Sequence, residues 1–379
     1  MLSIGIVSEY YYPLLGGISE HVHHTALQFT RMGHRVQVVT SQPRPSKDAI
    51  IPRDEDRQPF DIVRLGRSVG IPWNGSVTNV TVGFTRLWDQ LRRTMAAGRY
   101  DIVHVHSPLV FTLPPLAILA TRAPCVATFH SYFDKTPIYS AIKGLLHTQF
   151  LDRLSGQVAV SQSCVRAMAP YFRIAPRIIP NGIDVDLFTP AAPRIAEYDD
   201  GRPNLLFLSR FEPRNGLDLM LRAFKMVRQQ VPGARLIVVG DGPRRPDYTR
   251  MAAREFGDDV RIVGPMLHER PSYYATADLY CAPISKASFG MTLLEAMASG
   301  RAIVATSNDG YPDLLGPDEG VLVPPRDHVV FADAIVGLLR DPERRARMGR
   351  AGRAKALGYN WPSVAERLVA YYREILGRS

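Results

Sequence analysis

Short runs of β-branched and aliphatic residues recur along the chain at intervals too wide for hairpins, and between them apolar residues return at helical spacing. That alternation predicts βαβ units and parallel sheets. In the first half the strand candidates are residues 3–8, 35–40, 62–65, 102–106, 125–130, 157–161 and 177–180. In the second they are 205–209, 235–240, 260–263, 279–283, 302–306 and 320–323. Helices such as 19–32, closed by Gly33, fall between them. No short repeat appears, and the pattern predicts an α/β chain of two doubly wound sheets in series. Proline and charge break it near 186–203, in T-P-A-A-P-R and D-D-G-R-P. The expected division is therefore a domain at 1–187, a linker at 188–203 and a second domain at 204–361. From 362 to 379 apolar residues again follow helical spacing. The stretch 42–58, rich in Pro, Asp and Arg, is expected to be a mobile surface loop, and the arginine-rich helix 341–357 a solvated face.

A length of 379 residues agrees with two domains, and 46% hydrophobic with 22% charged residues excludes a disordered or fibrous chain. Three scattered cysteines, Cys125, Cys164 and Cys281, make neither a disulfide framework nor a thiolate zinc site, which points to a reducing, cytoplasmic setting. Met1 runs straight into a strand-like segment with no signal-peptide pattern, and the longest apolar stretch, 109–120, is too short to span a bilayer. A soluble protein is expected. The charge changes the picture: 46 basic against 36 acidic residues give +10, and only six of the cations are lysine. Such a balance favours anionic partners, either phosphorylated small molecules or an anionic membrane surface. No finger spacing or RNA-binding motif accompanies it, so nucleic acid is not expected. The helix 84–97 gathers Phe84, Leu87, Trp88, Leu91 and Met95 on one face, which suits either packing on the first sheet or reversible adsorption to anionic lipid.

Ligands of open α/β sheets bind beyond the carboxyl ends of strands, where helix N-termini offer unpaired N–H groups. Four loops there carry candidate chemistry. Gly16-Gly17 precedes a helix and lets the backbone approach a ligand, or forms a plain turn. S-R-F-E-P-R-N-G places Arg210 at a strand end and Arg214 in the loop, where arginine forks onto phosphate unless both simply face water. In V-V-G-D-G-P, Gly240 and Gly242 match a dinucleotide fingerprint only in part, because Arg245 fills the third position. In I-S-K-A-S-F-G-M, the run Ser288, Phe289 and Gly290 leads into a helix beginning near 289, and Lys286 adds charge. Glu295, in that helix, needs a hydrogen-bonding partner if buried; ligand hydroxyls or a structural salt bridge both qualify. His130 lies at a strand end as a ligand contact or a core histidine. His104 and His106 share one strand face, with no third metal ligand suggested.

Taken in order, P-L-L-G-G-I-S-E-H-V, A-T-F-H-S, I-I-P-N-G-I-D, S-R-F-E-P-R-N-G, L-I-V-V-G-D-G-P, A-D-L-Y-C-A-P and S-F-G-M-T-L-L-E-A-M-A-S-G resemble family 4 of the retaining glycosyltransferases. Within it the chain is most similar to the bacterial phosphatidylinositol mannosyltransferases, through I-P-W-N-G-S-V at 71–77. The resemblance implies the GT-B fold, two Rossmann-like domains facing across a cleft, with the C-terminal helix 362–379 returning to the first domain. It implies a nucleotide-diphosphate sugar as co-substrate, GDP-mannose favoured, with no cofactor and no required metal. The acceptor would be a hydroxyl, on a phosphatidylinositol-type lipid in the narrower match, with peripheral association at the inner face of the cell membrane.

By position, Arg210 would neutralise the donor diphosphate, Glu295 hold the ribose and His130 contact the transferred sugar. These three form the implied catalytic set. Gly16, Gly17, Arg214, Asn215, Gly240, Gly242, Lys286, Ser288, Phe289 and Gly290 would complete the donor site, and Tyr10, Asn74 and Ser76 would join His130 at the acceptor. Two positions depart from the family pattern: Asn215 stands where it has lysine, and Ala287 where it has a first glutamate. Losing one charged hydrogen bond costs about 1.5–3 kcal/mol, so both departures bear on donor identity. The alternative from another class is a non-catalytic binding relative with a decayed donor site.

Overall fold

The computed structural model describes residues 1–14, 16–42, 58–73, 76–109, 112–132, 137–266 and 268–377. It divides into two compact units: 1–182 together with 361–379, and 183–360.

The first unit contains β1 (Ser3–Ser8), α1 (Gly17–Arg31), β2 (Arg35–Ser41), β3 (Asp61–Leu65), β4 (Arg67–Trp73), β5 (Ser76–Val82), α2 (Phe84–Gly98), β6 (Ile102–His106) and α3 (Leu113–Ala120). It continues with β7 (Cys125–Phe129), α4 (Pro137–Gln149), β8 (Gly156–Ala159), α5 (Gln162–Met168) and β9 (Arg177–Ile178). Seven strands form one parallel sheet in the order β3-β2-β1-β6-β7-β8-β9. Ile4, Ile6, Val38, Val103 and Val126 are wholly buried, as strands covered on both faces require.

The second unit holds β10 (Asn204–Leu208), α6 (Leu217–Gln230), β11 (Arg235–Val239), α7 (Arg245–Glu255), β12 (Val260–Val263), α8 (Arg270–Thr276) and β13 (Leu279–Ala282). After these come α9 (Met291–Ala298), β14 (Ala302–Thr306), β15 (Gly320–Val323), α10 (His328–Arg340) and α11 (Pro342–Leu357). Its sheet is parallel in the order β12-β11-β10-β13-β14-β15. In each unit the first strand lies between strands that wind away in opposite directions, which creates a switch point at its carboxyl end. The final helix, α12 (Trp361–Ile375), belongs to the first unit, where Tyr372 is buried beside Phe29 of α1.

Two expectations change, and one open alternative is decided. The stretch 188–203 is no linker but part of the second unit. Its Tyr198 is buried and accepts from Asn204 Nδ2 through its carbonyl, and Ile195 N donates to Thr276 Oγ1. An antiparallel hairpin pairs β4 (67–73) with β5 (76–82), where no strand is expected from the spacing of crossovers. Leu87, Leu91 and Met95 of α2 are buried in the core with Val39, Leu65 and Val103, which is the packing alternative for this face; Trp88 is half-buried, and the Phe84 side chain lies outside the described residues. Arg86, Arg92 and Arg93 take the exposed side of α2. Residues 43–57 of the expected mobile loop lie outside the described residues.

Candidate active site

In the second unit the switch point lies between β10 and β13, and their loops are tied together. Ser285 donates from both its backbone N and its Oγ to the carbonyl of Arg214, at 2.8 and 3.0 Å. Gly216 makes that approach possible: its φ is +77°, and a Cβ there would sit 2.1 Å from the Pro283 oxygen. On the other side Gly240, with φ +147°, admits the Ser209 carbonyl in the same way. Gly240 and Gly242 thus serve first to pack the β11 loop on the β10 loop, where Phe211 N donates to Asp241 O at 2.7 Å.

These contacts gather cations at the sheet's carboxyl end. Arg210 is exposed and pairs with Glu212 at 3.2 Å; Arg214 pairs with the same carboxylate at 2.9 Å. Glu212, given no role from sequence, therefore splays two guanidinium groups from one anchor. Asn215 is buried and donates through Nδ2 to the Arg210 carbonyl at 2.8 Å, bracing the loop. Lys286 follows Ser285 and so stands beside the Arg214 backbone. Gly290 caps α9, which begins at Met291, two residues later than the expected start. Phe289 is buried, with its ring 6.3 Å from Tyr359, so only its backbone is placed for a ligand. Glu295, buried in α9, accepts from Arg270 at 2.7 Å and from the Tyr274 hydroxyl at 2.9 Å. Of the two partners the sequence left open, the structure shows the salt bridge, joined by a tyrosine hydroxyl.

The first unit presents different chemistry. Glu9, fully buried just past β1, accepts hydrogen bonds from Thr81 at 2.5 Å, from Thr112, and from Leu113 N at 3.3 Å. Burial raises its carboxyl above the usual range, with the three donors pulling the other way. It binds the sheet, the hairpin and the start of α3 together. Tyr10 follows, and its hydroxyl accepts from Asn79 N of β5 at 3.1 Å. Ser76 opens β5 with its side chain outside the described residues, as is the whole of Asn74. Gly16 and Gly17 are exposed at the start of α1, and a Cβ on Gly16 would meet nothing within 4 Å. That leaves open space for a ligand to approach the backbone.

His130 directly follows β7 and meets His106 at 2.9 Å. His21, from α1, packs edge-on against both rings and bonds Asn181 at 2.8 Å. His104 bonds Thr128 at 2.6 Å and the Tyr372 hydroxyl at 2.5 Å. Burial holds His21 down to about 4 and His104 to about 3, and keeps His106 and His130 well below the usual histidine range. One nitrogen from each of His21, His106 and His130 lies within 4.8 Å of the others. The fold therefore groups His106 not with His104 but with His21 and His130, a trio that the strand spacing did not suggest and that could hold a transition ion. His21 and Asn181 sit within G-G-I-S-E-H-V and I-I-P-N-G, but only the fold shows that they meet.

Two doubly wound sheets in series, one ending in glycine-lined cationic loops, make the GT-B fold. A glycosyltransferase from Rickettsia africae has the same fold over 100% of both chains, with a TM-score of 0.78 at 17% identity. Anabaena HepE, solved with UDP and glucose, matches over 98% of this chain and 99% of its own with a TM-score of 0.77 at 19% identity. Residues 15–187 match the family model "Glycosyltransferase Family 4" and residues 202–341 match "Glycosyl transferases group 1". The phosphatidyl-myo-inositol mannosyltransferase of Mycolicibacterium smegmatis is 31% identical, over 99% of this chain and 95% of its own. The Mycobacterium tuberculosis protein of the same name is 33% identical, over 99% and 98%. The chain belongs to the family 4 glycosyltransferases and is a transferase. That leaves the non-catalytic alternative without support.

Proposed function

We propose that the enzyme transfers a hexose, with mannose favoured, from a nucleotide-diphosphate sugar to a phosphatidylinositol-type hydroxyl acceptor, with retention of anomeric configuration. The supporting observation is likeness across the whole chain to proteins named phosphatidyl-myo-inositol mannosyltransferases. GDP-mannose is the favoured donor. The bond from anomeric carbon to diphosphate oxygen breaks as the acceptor oxygen bonds on the same face. The departing diphosphate takes the acceptor's proton, so stabilising that leaving group is the main catalytic task. Arg210, Arg214 and Lys286 supply positive charge for it, and the N–H groups around Ser288, Phe289 and Gly290 add donors. Gly16 and Gly17 would approach the diphosphate from the first unit's own loop, and Tyr10, Asn74 and Ser76 would serve the acceptor. Glu295, held by Arg270 and Tyr274, would hold a ribose hydroxyl. No helix among the described residues is long and apolar enough to cross a membrane. Contact with anionic lipid is assigned instead to the exposed Arg86, Arg92 and Arg93 of α2.

The test is release of free nucleotide diphosphate from GDP-mannose and UDP-glucose, each with phosphatidylinositol vesicles, with the inositol phosphate head group alone, and with no acceptor. Release from GDP-mannose that depends on the vesicles is expected. Equal release with the head group alone would remove the lipid from the proposal, and preference for UDP-glucose would remove mannose.

A further inference from the structure

His106 ends β6, and His130 follows β7 two residues after Thr128, its registered neighbour on the adjoining strand. Residues two apart share a strand face, so the two rings come together. Nδ1 of His106 and Nε2 of His130 share a hydrogen bond of 2.9 Å. Across from them, His21 Nδ1 is bonded to Asn181 Oδ1 at 2.8 Å. Two ring nitrogens here are buried with no hydrogen-bond partner among the described residues: Nε2 of His21 and Nε2 of His106.

A neutral imidazole carries one N–H and one lone pair. Burial keeps all three rings neutral. Buried N–H groups lacking an acceptor are rarer than buried acceptors lacking a donor. The partnerless nitrogens are therefore bare, and the protons of His21 and His106 sit on Nδ1. Asn181 Oδ1 accepts the first. The second is donated to Nε2 of His130, which must offer its lone pair, and the remaining proton of His130 then lies on its own Nδ1.

We propose that His106 is a positioning residue that locks His130 in the Nδ1–H tautomer, so that His130 meets a ligand oxygen as a neutral hydrogen-bond donor and not as a base. The lock itself depends on no ligand; that the oxygen belongs to the transferred sugar rests on the function proposed above. An added proton on His130 would have to occupy Nε2, facing the N–H of His106, so the arrangement also opposes the imidazolium. Front-face substitution fits this restriction, because the departing diphosphate takes the acceptor's proton and leaves none for His130 to remove.

Two-bond proton–nitrogen correlation spectra of the full chain labelled with 15N-histidine report each tautomer at pH 7, and His130→Gln assigns the signal. An Nδ1-protonated His130 is expected. His106→Leu should turn that ring to the Nε2–H form or a mixture and lower kcat about 10-fold with little change in KM for the nucleotide sugar. His106→Asn, whose amide N–H takes the place of Nδ1–H, should restore both readouts. An Nε2-protonated His130 in the native protein would overturn the proposal, and so would an unaltered tautomer in His106→Leu. A native spectrum changed by EDTA would also overturn it, because the bare nitrogens would then belong to a metal ion. If His106→Leu does not fold, the native spectrum and His106→Asn decide. The predicted tautomers in a native protein without transferase activity would leave the lock standing and sink the functional reading.

Discussion

The two units wind their strands in the same order around a first strand, yet they place opposite chemistry at its carboxyl end. In the first unit the groups are buried: neutral imidazoles bonded to one another and a carboxyl that burial raises above its usual range. In the second, exposed or half-exposed cations stand on loops that glycine allows to touch. A buried neutral group contributes direction, because its hydrogen bonds fix which atom faces a ligand. An exposed cation contributes charge and tolerates a less fixed geometry. One topology thus carries buried, directional groups in one unit and exposed charge in the other.

The largest effect that separates them is acid stability. Folded-state values of about 4 for His21 and about 3 for His104 lie below the ordinary 6.5. Between those limits the unfolded chain binds more protons, so their contribution is complete above about 6.5 and is lost as pH falls toward the folded values. Glu9 opposes this at lower pH, since its raised carboxyl gains from protonation. From pH 7 to pH 5 these two histidines alone should cost the first unit on the order of 2–4 kcal/mol. All three tryptophans (Trp73, Trp88 and Trp361) and eight of the ten histidines lie in that unit. Urea unfolding followed by tryptophan fluorescence reports on it alone, and an unchanged midpoint at pH 5 would erase the contrast.

The next effect belongs to the charged half. Arg210→Ala should weaken nucleotide-sugar binding by roughly 10–100-fold, the loss of a charged hydrogen bond, while circular dichroism stays native because the side chain is exposed. Calorimetric titration with GDP-mannose measures it, and unchanged affinity would return Arg210 to the surface.

The smallest expected effect sharpens the same half. Lys286→Ala should cost about 10-fold in affinity, if Lys286 with Arg214 replaces the lysine absent at 215. Asn215→Lys should restore little of it, since Asn215 is turned toward the Arg210 carbonyl and braces its own loop. Strictly additive losses in Lys286→Ala combined with Arg214→Ala would show that the two cations do not share a phosphate.

Alternating apolar runs made the parallel sheets legible: the candidate at 102–106 coincides with β6, and 260–263 with β12. Glycines and cations after strand ends were legible for the same reason, because the chain direction fixes which loops share an edge. The hairpin was missed although Asn74-Gly75 sits between β-branched residues, a strong turn signal; wide crossovers elsewhere drew the reading away from it. Glu9 could not be read at all, since Thr81 and Thr112 lie 72 and 103 positions away. The pairing of His104 with Tyr372 spans 268 positions. A carboxylate or imidazole announces its chemistry in sequence, but its partners are set by tertiary packing.

That last pairing also imposes an order in time. The ribosome delivers all of 183–360 before α12 exists, so the second unit has its whole sequence while the first still lacks its closing helix. Until then His104 has no Tyr372, and His24 has no Trp361 to stack against at 4.9 Å. Synthesis normally completes domains from the N-terminus onward; here the first unit, begun first, gains its closing helix only after the whole of the second unit has been made.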